Sequence, residues 1–482
     1  MAPSPPAPSL TRVALLLGTL VSLTVIGSSA VAVALPVVRA DLGLDEPGTA
    51  WVLAVFSLSF AVTTAIFGRM ADLRGLRTPL RIGVVLFSVG SVAGGLAWDF
   101  PSLIAARLLQ GAGAGAVPVL ALGVLAARYE GVARGRALGA LTAVVSIVSG
   151  SGPLIGGGIT QLLGWRFVLA VPALALLVLE PVARIAPATP TSGGAIDWRG
   201  AAFVAAFTTG LVLLLQSPAT KAGPLLVGGA VALLVFGAIA TRMHVRRRPE
   251  GFLPARVVGS LDMVLSSLAG MTLLAAYLGL ILAIPQILAG DLGWEPLQIG
   301  LVMLPAALTG ALVSRVVGGT AQRVGRYRVV MALAIGSSAG LLLAAVGAAS
   351  PVAMVVGLAA VVAGFAGGQV ALIDGIPALV DEDVQGVALG VFNLVFFTGG
   401  AVGSAIVGGV GGAFSRPVGL ACLALLPLAG AGAAVVVGRR TASVARLGHT
   451  ESDDDGAGDG LDHQPEDPGE PRLVPQVDDG TG

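Results

Sequence analysis

Fourteen stretches of this chain are long and apolar enough to cross a lipid bilayer, and that pattern restricts the fold more than any other feature. A spanning helix needs about 20 mostly apolar residues, because the hydrocarbon layer is roughly 30 Å thick and the helix rises about 1.5 Å per residue. Eight such runs occupy Val13 to Val38, Thr49 to Phe67, Ile82 to Trp98, Ser102 to Ala127, Ala137 to Gly164, Phe167 to Ala183, Gly200 to Gln216 and Ala222 to Thr241. Six more occupy Leu261 to Leu288, Pro296 to Val317, Val329 to Ala348, Val352 to Ile373, Val387 to Val410 and Val418 to Gly438. The first is longer than the roughly 7 to 15 apolar residues of a secretory signal, so it reads as a span. The expected fold class is an all-α integral membrane protein with 14 transmembrane helices.

Charge points to the same solvent. Of 482 residues only 11% are charged and 55% are hydrophobic, against roughly 25% and 45 to 50% in soluble domains. Up to Arg446 the chain holds 27 basic and 16 acidic residues, and beyond it lie Arg472 and eleven acids. A basic, apolar body therefore ends in an acidic tail, with too few charges to cover a water-facing surface. With the amino terminus in the cytoplasm, 21 arginines fall in cytoplasmic segments, while Arg39, Arg166, Lys221 and Arg416 fall outside. This bias sets the orientation, with both termini cytoplasmic. Heavy use of Arg against a single Lys, with abundant Ala and Gly, points to a GC-rich bacterial genome and hence to an inner or plasma membrane. Residues 1–10 and 441–482 carry too little apolar surface to fold and read as disordered. The single Cys422 can form no internal disulfide, and His244, His449 and His463 all lie in polar segments. No metal or cofactor is expected.

The chain also repeats itself. Gly68-Arg-Met-Ala-Asp72-Leu-Arg-Gly75 resembles Gly318-Gly-Thr-Ala-Gln322-Arg-Val-Gly325, an offset of 250, and Arg134-Gly-Arg-Ala-Leu-Gly139 resembles Gln385-Gly-Val-Ala-Leu-Gly390, an offset of 251. Two independent matches at nearly the same spacing imply two parallel six-helix repeats, residues 11–185 and 261–440, joined by a linker, 186–260, with two inserted helices. Parallel repeats of this kind are a transporter design in which one bundle rocks against the other around a central site.

Several motifs stand in order along this frame. They are Ala34-Leu35-Pro36 in span 1, Gly68 to Arg77 after span 2, Arg107-Leu-Leu-Gln110-Gly111-Ala-Gly113 in span 4, and Gly152-Pro153-Leu-Ile-Gly156-Gly157 in span 5. Gly164-Trp165-Arg166 and Asp197-Trp198-Arg199-Gly200 precede spans 6 and 7. Over roughly Ala34 to Gly438 the chain resembles the fourteen-span drug:proton antiporters of the major facilitator superfamily. The resemblance implies export of hydrophobic compounds by alternating access with proton antiport.

The loop motif, with Gly68, Asp72, Arg74, Gly75 and Arg77, is a candidate cytoplasmic gate. Gly68 would let two helices approach closely, and Asp72 could face the positive end of a neighbouring helix, span 13 by resemblance. Its alternative is a tight basic turn. The family usually has Arg directly after the Asp, whereas here Leu73 follows and the base moves to Arg74, and the second copy has Gln322 in place of the acid.

Arg107 is costly inside a span, by about 2.5 to 3.5 kcal/mol on insertion scales, and needs partners. By resemblance it takes part in coupling with Gln110 and Gly111; otherwise it is an Arg satisfied by carbonyls or reaching outward. Gly152, Pro153, Gly156 and Gly157 carry no acid or base, so their role is mechanical, either a rocking hinge or plain tight packing. Relatives commonly carry an acid in span 1 where this chain has Gly27, so the usual intramembrane acid is absent. Asp374 is the remaining candidate: desolvation would favour its neutral form if it is buried, and otherwise it is a solvated helix-end acid.

The substrate cavity is expected near the bilayer centre between the repeats, with Phe56, Phe60, Tyr277, Asn393 and Phe396 as candidate lining. Such an apolar site suits a lipophilic drug or secondary metabolite. The partners expected are that substrate, protons and membrane lipid, with no nucleic acid, for a monomer. No Walker pattern and no His-Glu-x-x-His pattern occurs, which argues against nucleotide-driven transport and against an enzyme. Two readings stay open beside drug export: solute transport not coupled to protons, and a non-transporting sensor or scaffold.

Overall fold

In hydrocarbon no water is at hand to bond backbone N–H and C=O groups, so apolar spans close their own hydrogen bonds as helices. The computed structural model describes residues 9–187, 197–218, 223–348, 350–381 and 385–456, and no β-strand occurs among them. The first repeat comprises α1 (Leu10–Leu42), α2 (Glu46–Arg74), α3 (Arg77–Gly95), α4 (Phe100–Ala114), α5 (Ala116–Arg128), α6 (Gly131–Leu163), α7 (Trp165–Ala170) and α8 (Ala175–Ile185). An inserted pair, α9 (Trp198–Gln216) and α10 (Pro224–Arg247), leads through the short α11 (Ala255–Gly259) to the second repeat. That repeat contains α12 (Leu261–Leu292), α13 (Pro296–Val324), α14 (Arg326–Val346), α15 (Pro351–Gly375), α16 (Gln385–Ala413) and α17 (Arg416–Gly456).

Among the described residues, 13 helical segments are long and apolar enough to cross a membrane. They stand where thirteen of the expected spans were read, and at the place of the fifth is α6, a helix of 33 residues. Two spans are jointed. Span 4 breaks at Gly115 between α4 and α5, where Pro118 has no N–H to offer the carbonyl of Ala114. Span 6 consists of α7 and α8 joined by the 3-10 turn Val171–Leu174, which contains Pro172.

The second repeat reproduces the turns of the first. Gly43 and Gly293 close α1 and α12 with φ of 63° and 69°, and Gly75 and Gly325 make the next tight corner with φ of 74° and 101°. Glycine adopts these conformations most readily, because it has no Cβ to clash. Each pair is 250 residues apart, and α2 and α13, in the same register, are both 29 residues long.

The halves meet where α2 packs along α16, α6 along α13, and α1 against α12. One continuous apolar core runs through both, including Leu53, Phe87 and Leu120 on one side and Leu280, Ile284 and Leu423 on the other. The inserted pair does more than link. Val212 of α9 packs with Ala54 and Leu58 of α2 and with Ala401 and Ala405 of α16, so α9 covers the seam between the halves. In contrast, α10 packs chiefly on α9 and exposes Leu225, Leu226, Phe236 and Ile239, a face suited to lipid.

Helix α17 continues to Gly456, beyond the residue 441 at which the disordered tail was expected to start. Thr441 to Leu447 holds no Gly or Pro to stop it. Residues 1–8 and 457–482 lie outside those described.

Candidate functional site

Between the halves lies a cavity of about 280 Å³. Its wall takes residues from α1, α2, α5 and α6 of the first repeat and from α12, α13, α15 and α16 of the second. Phe56, Phe60 and Tyr277 line it, as does Pro153 of the span 5 motif. Asn393 is half-buried on α16 outside the lining, and Phe396 is fully buried just behind it, with its neighbour Phe397 at the wall instead. The polar lining, unread in the sequence, is small and neutral: Thr24 and Ser28 of α1, Ser57 of α2, Ser314 of α13 and Gln369 of α15. Thr24, Ser28 and Ser314 donate their protons to carbonyls of their own helices, at 2.7, 2.9 and 3.0 Å, which leaves each oxygen with acceptor capacity. Helical spacing gave no signal for these residues, because every face of such spans is apolar.

A chain of aromatic rings crosses from one half to the other. Phe56 lies 6.1 Å from Phe60, which meets Phe397 at 4.3 Å; Phe397 abuts Phe396 edge-on at 5.3 Å. Phe396 lies 6.1 Å from Phe365, and Phe365 stacks on Tyr277 at 4.4 Å with the rings 3° from parallel. Centroid spacings of this kind give favourable quadrupole contacts beyond simple burial. Phe365 was missed by sequence reading, although it is the sole aromatic of α15.

Arg107 anchors the other end of this chain. It is fully buried, with its guanidinium carbon 4.2 Å above the Phe56 ring. Its Nε donates to the Val52 carbonyl at 2.9 Å, and Nη1 donates to the Gly27 carbonyl at 2.8 Å and to Gln110 Oε1. Gln110 Nε2 in turn donates to Ser91 Oγ at 2.9 Å, and that hydroxyl donates to the Phe87 carbonyl at 2.7 Å. Each hydrogen bond to a charged group contributes about 1.5 to 3 kcal/mol, enough together to offset the insertion cost of the Arg. The open alternatives thus resolve in part: carbonyls do hold Arg107, and the position without an acid, Gly27, supplies one of them. Among the described residues, Nη2 has no hydrogen-bond partner.

The glycines beside Arg107 are where backbones touch. A Cβ on Gly111 would strike the Phe56 carbonyl and Ser59, and one on Gly113 would strike the Phe87 amide nitrogen. In span 5, a Cβ on Gly152 would meet Ser29 Oγ and one on Gly156 the Ala30 carbonyl, both on α1. Gly157 instead faces the Pro296 carbonyl of α13, and Gly300 of α13 faces the Pro153 carbonyl. The motif therefore packs within its own half on one side and across the interface on the other. At the same end, where α1 finishes, Gln161 Nε2 donates to Glu295 at 2.6 Å and Arg416 bridges Glu46 at 2.9 Å and Asp291 at 3.1 Å.

The loop motif departs from expectation. A Cβ on Gly68 would make only an ordinary 3.5 Å contact with Val119, so no close helix approach depends on it; the tight approach is Gly83 against Ala116. Gly75 makes the turn, and Arg74 is exposed. Arg77 Nε donates to the Ala186 carbonyl at 2.8 Å and Arg128 Nη1 to the Ile185 carbonyl at 2.8 Å, so these bases cap the end of α8, where the helix dipole favours them. The side chains of Asp72 and Gln322 lie outside the described residues.

Asp374 is not buried, contrary to the condition set for it. Its side chain is 63% exposed and accepts from Arg326 Nη2 at 2.8 Å, because the helix ends one residue later and brings it to the surface. Glu180 pairs with Arg184 and also with Arg81 of α3. Asp197 caps α9 by accepting from the Gly200 amide at 3.0 Å, and it accepts from the Phe252 amide at 2.9 Å and meets His244 Nε2 at 2.6 Å. Burial opposes its ionisation, but those two amides and the His244 ring outweigh it and hold the carboxyl below its ordinary range.

The chain has sequence relatives among named export and resistance proteins. The chain is 36% identical over 60% of its length to the cephamycin export protein CmcT of Amycolatopsis lactamdurans, covering 61% of that protein. It is 31% identical over 61% of its length to the multidrug resistance protein Stp of Mycobacterium tuberculosis (55% covered), and 30% identical over 61% to the puromycin resistance protein pur8 of Streptomyces alboniger (59% covered). The match thus spans just over half of each of these relatives. Among solved structures, an inward-facing bacterial homolog of the human lysosomal transporter Spinster superposes with a TM-score of 0.63 at 16% identity, over 91% of this chain and 98% of that one. An auto-inhibited peptide transporter of the POT family does so with 0.65 at 14% identity, over 90% and 97%. At such identities the likeness is one of fold. The sequence profile of the Major Facilitator Superfamily matches residues 15–278, and this multi-pass membrane protein belongs to that family.

Proposed function

We propose that this chain is a secondary transporter that exports lipophilic drug-like or antibiotic compounds across the cell membrane. The carrying observation is the cavity of about 280 Å³ walled by both repeats and lined mainly by apolar and aromatic groups. A site shared between two bundles becomes accessible from alternate sides when one bundle rocks on the other. The names of the relatives, a cephamycin exporter and proteins of puromycin and multidrug resistance, support the same cargo class. The protein acts as a monomer with both termini cytoplasmic, since the positive-inside bias of its arginines favours that orientation.

Export is driven by the proton gradient in the reading the family resemblance supports. A second reading, transport not coupled to protons, is favoured by a specific observation: every described acid up to Asp381 lies in a loop, at a helix cap or within two turns of a helix end. Reconstitution into liposomes separates the two. Uptake of a lipophilic dye that requires this chain and collapses with an ionophore that dissipates the pH gradient supports antiport. Uptake that survives the ionophore supports the second reading, and no chain-dependent uptake rejects transport.

A further inference from the structure

Resting on the reading that this cavity holds lipophilic solutes, we infer that it prefers anionic and uncharged compounds over lipophilic cations, with Arg107 as the residue that sets the preference. A ligand's charge is stabilised or penalised by the fixed charges nearest to it, because little water remains to screen them. Among the described residues that line it none is an acid, and their polar groups are hydroxyls, a phenol and an amide. Among the described residues the buried charged side chain is Arg107, a cation. Arg107 lies fully buried on the Phe56 ring, and Phe56 is itself part of the wall.

That cation is held but not neutralised. Its three hydrogen bonds end on two carbonyls and one amide, all uncharged, and Nη2 finds no partner among the described residues. Arg315 of α13 is exposed and adds charge of the same sign. Aromatic walls ordinarily attract cations through the ring face. Here one face of Phe56 is already occupied by a guanidinium, which repels a second cation across the same ring. One unit charge at such range, in a partly wet site, corresponds to a discrimination on the order of tenfold.

Position 27 offers a way to reverse the sign. A Cβ there would lie 3.7 Å from Phe87 and 3.8 Å from Gln110 and Pro172, ordinary contact distances, so a Cβ is accommodated without displacing backbone. The Gly27 carbonyl already accepts from Arg107 at 2.8 Å, so a carboxylate at this residue would neutralise the guanidinium.

The test uses two dyes that share a xanthene core with a pendant ring: fluorescein, an anion at neutral pH, and tetramethylrhodamine methyl ester, a cation. Binding of each to the detergent-purified full chain is measured by fluorescence polarisation, and flux of each is measured separately in proteoliposomes. The expected result is at least tenfold tighter binding of fluorescein, with the ratio falling toward one in Gly27→Asp and in Arg107→Gln. Equal or tighter binding of the rhodamine by the unaltered chain overturns the proposal whether or not the variants fold, as does the absence of binding by either dye. Preferential binding without flux leaves this selectivity standing and rejects the transporter reading, whereas flux of both dyes without a preference in binding does the reverse.

Discussion

Arg107 donates from Nη1 to the backbone carbonyl of Gly27 at 2.8 Å, so the buried cation of α4 is tied to α1 by a group that cannot take up a proton near neutral pH. Together with the bond from Nε to Val52, this makes the guanidinium a three-helix clamp on α1, α2 and α4. Lysine has the charge but not the planar fork that reaches two carbonyls in different directions. Arg107→Lys is expected to reduce dye flux at least tenfold and to destabilise the chain by about 1 to 3 kcal/mol, the penalty for one buried carbonyl left unpaired. Thermal unfolding in detergent and proteoliposome flux check the two effects. Wild-type flux in this variant would show that charge alone suffices.

The span 5 glycines differ from one another in what faces them, which separates hinge geometry from general helix packing. Gly157 abuts the Pro296 carbonyl across the interface, while a Cβ on Gly158 would meet only the end of Leu297 at 3.9 Å. Gly157→Ala should therefore impair flux severely with normal membrane insertion, and Gly158→Ala should transport nearly as well as the unaltered protein. Similar flux in both variants would argue that close approach at α6 and α13 has no bearing on transport.

Glu46 and Arg416 join the two repeats at the end where α1 finishes, with side chains 16% and 17% exposed. Ion pairs at that depth lie between the weak exposed class and the strong buried class, so a coupling energy of about 1 to 3 kcal/mol is expected. A double-mutant cycle of Glu46→Gln and Arg416→Gln, read by thermal unfolding in detergent, measures it directly. A coupling indistinguishable from zero would remove this contact from the forces closing that end.

Acid sensitivity should reach the inserted helix pair through Asp197. Its carboxyl is held below the ordinary range, so its contribution to stability is present above about pH 4 and is lost as pH falls through the lower, folded-state value. Melting temperatures between about pH 3 and 7 should fall at the acid end, and less steeply for Asp197→Asn, whose side chain does not titrate. Parallel curves for the two proteins would assign the acid loss to other groups.

Asp374→Asn is expected to leave flux within about twofold of the unaltered chain. The carboxylate is exposed and paired with Arg326, and exposed pairs contribute about 0 to 1 kcal/mol. A large loss of gradient-driven flux would return Asp374 to the coupling mechanism.

Span positions, the 250-residue offset and the presence of an isolated Arg in span 4 were all readable from residue types alone, because hydrocarbon tolerates so few polar groups that length and charge leave little freedom. The corner glycines belong to the same class, although Gly43 and Gly293 were not paired in the sequence reading; a positive φ favours glycine wherever the chain makes that turn. Aromatic residues of the cavity were partly readable: Phe56, Phe60 and Tyr277 were selected, while Phe365 and Gln369 were not and Asn393 was chosen away from the wall. Spans apolar on every side carry no periodic mark of which face meets the cavity. That choice, the carbonyl partners of Arg107, and the division of the span 5 glycines between α1 and α13 were decided by how helices from both halves pack, since backbone atoms accept bonds and make close contacts whatever side chain they bear.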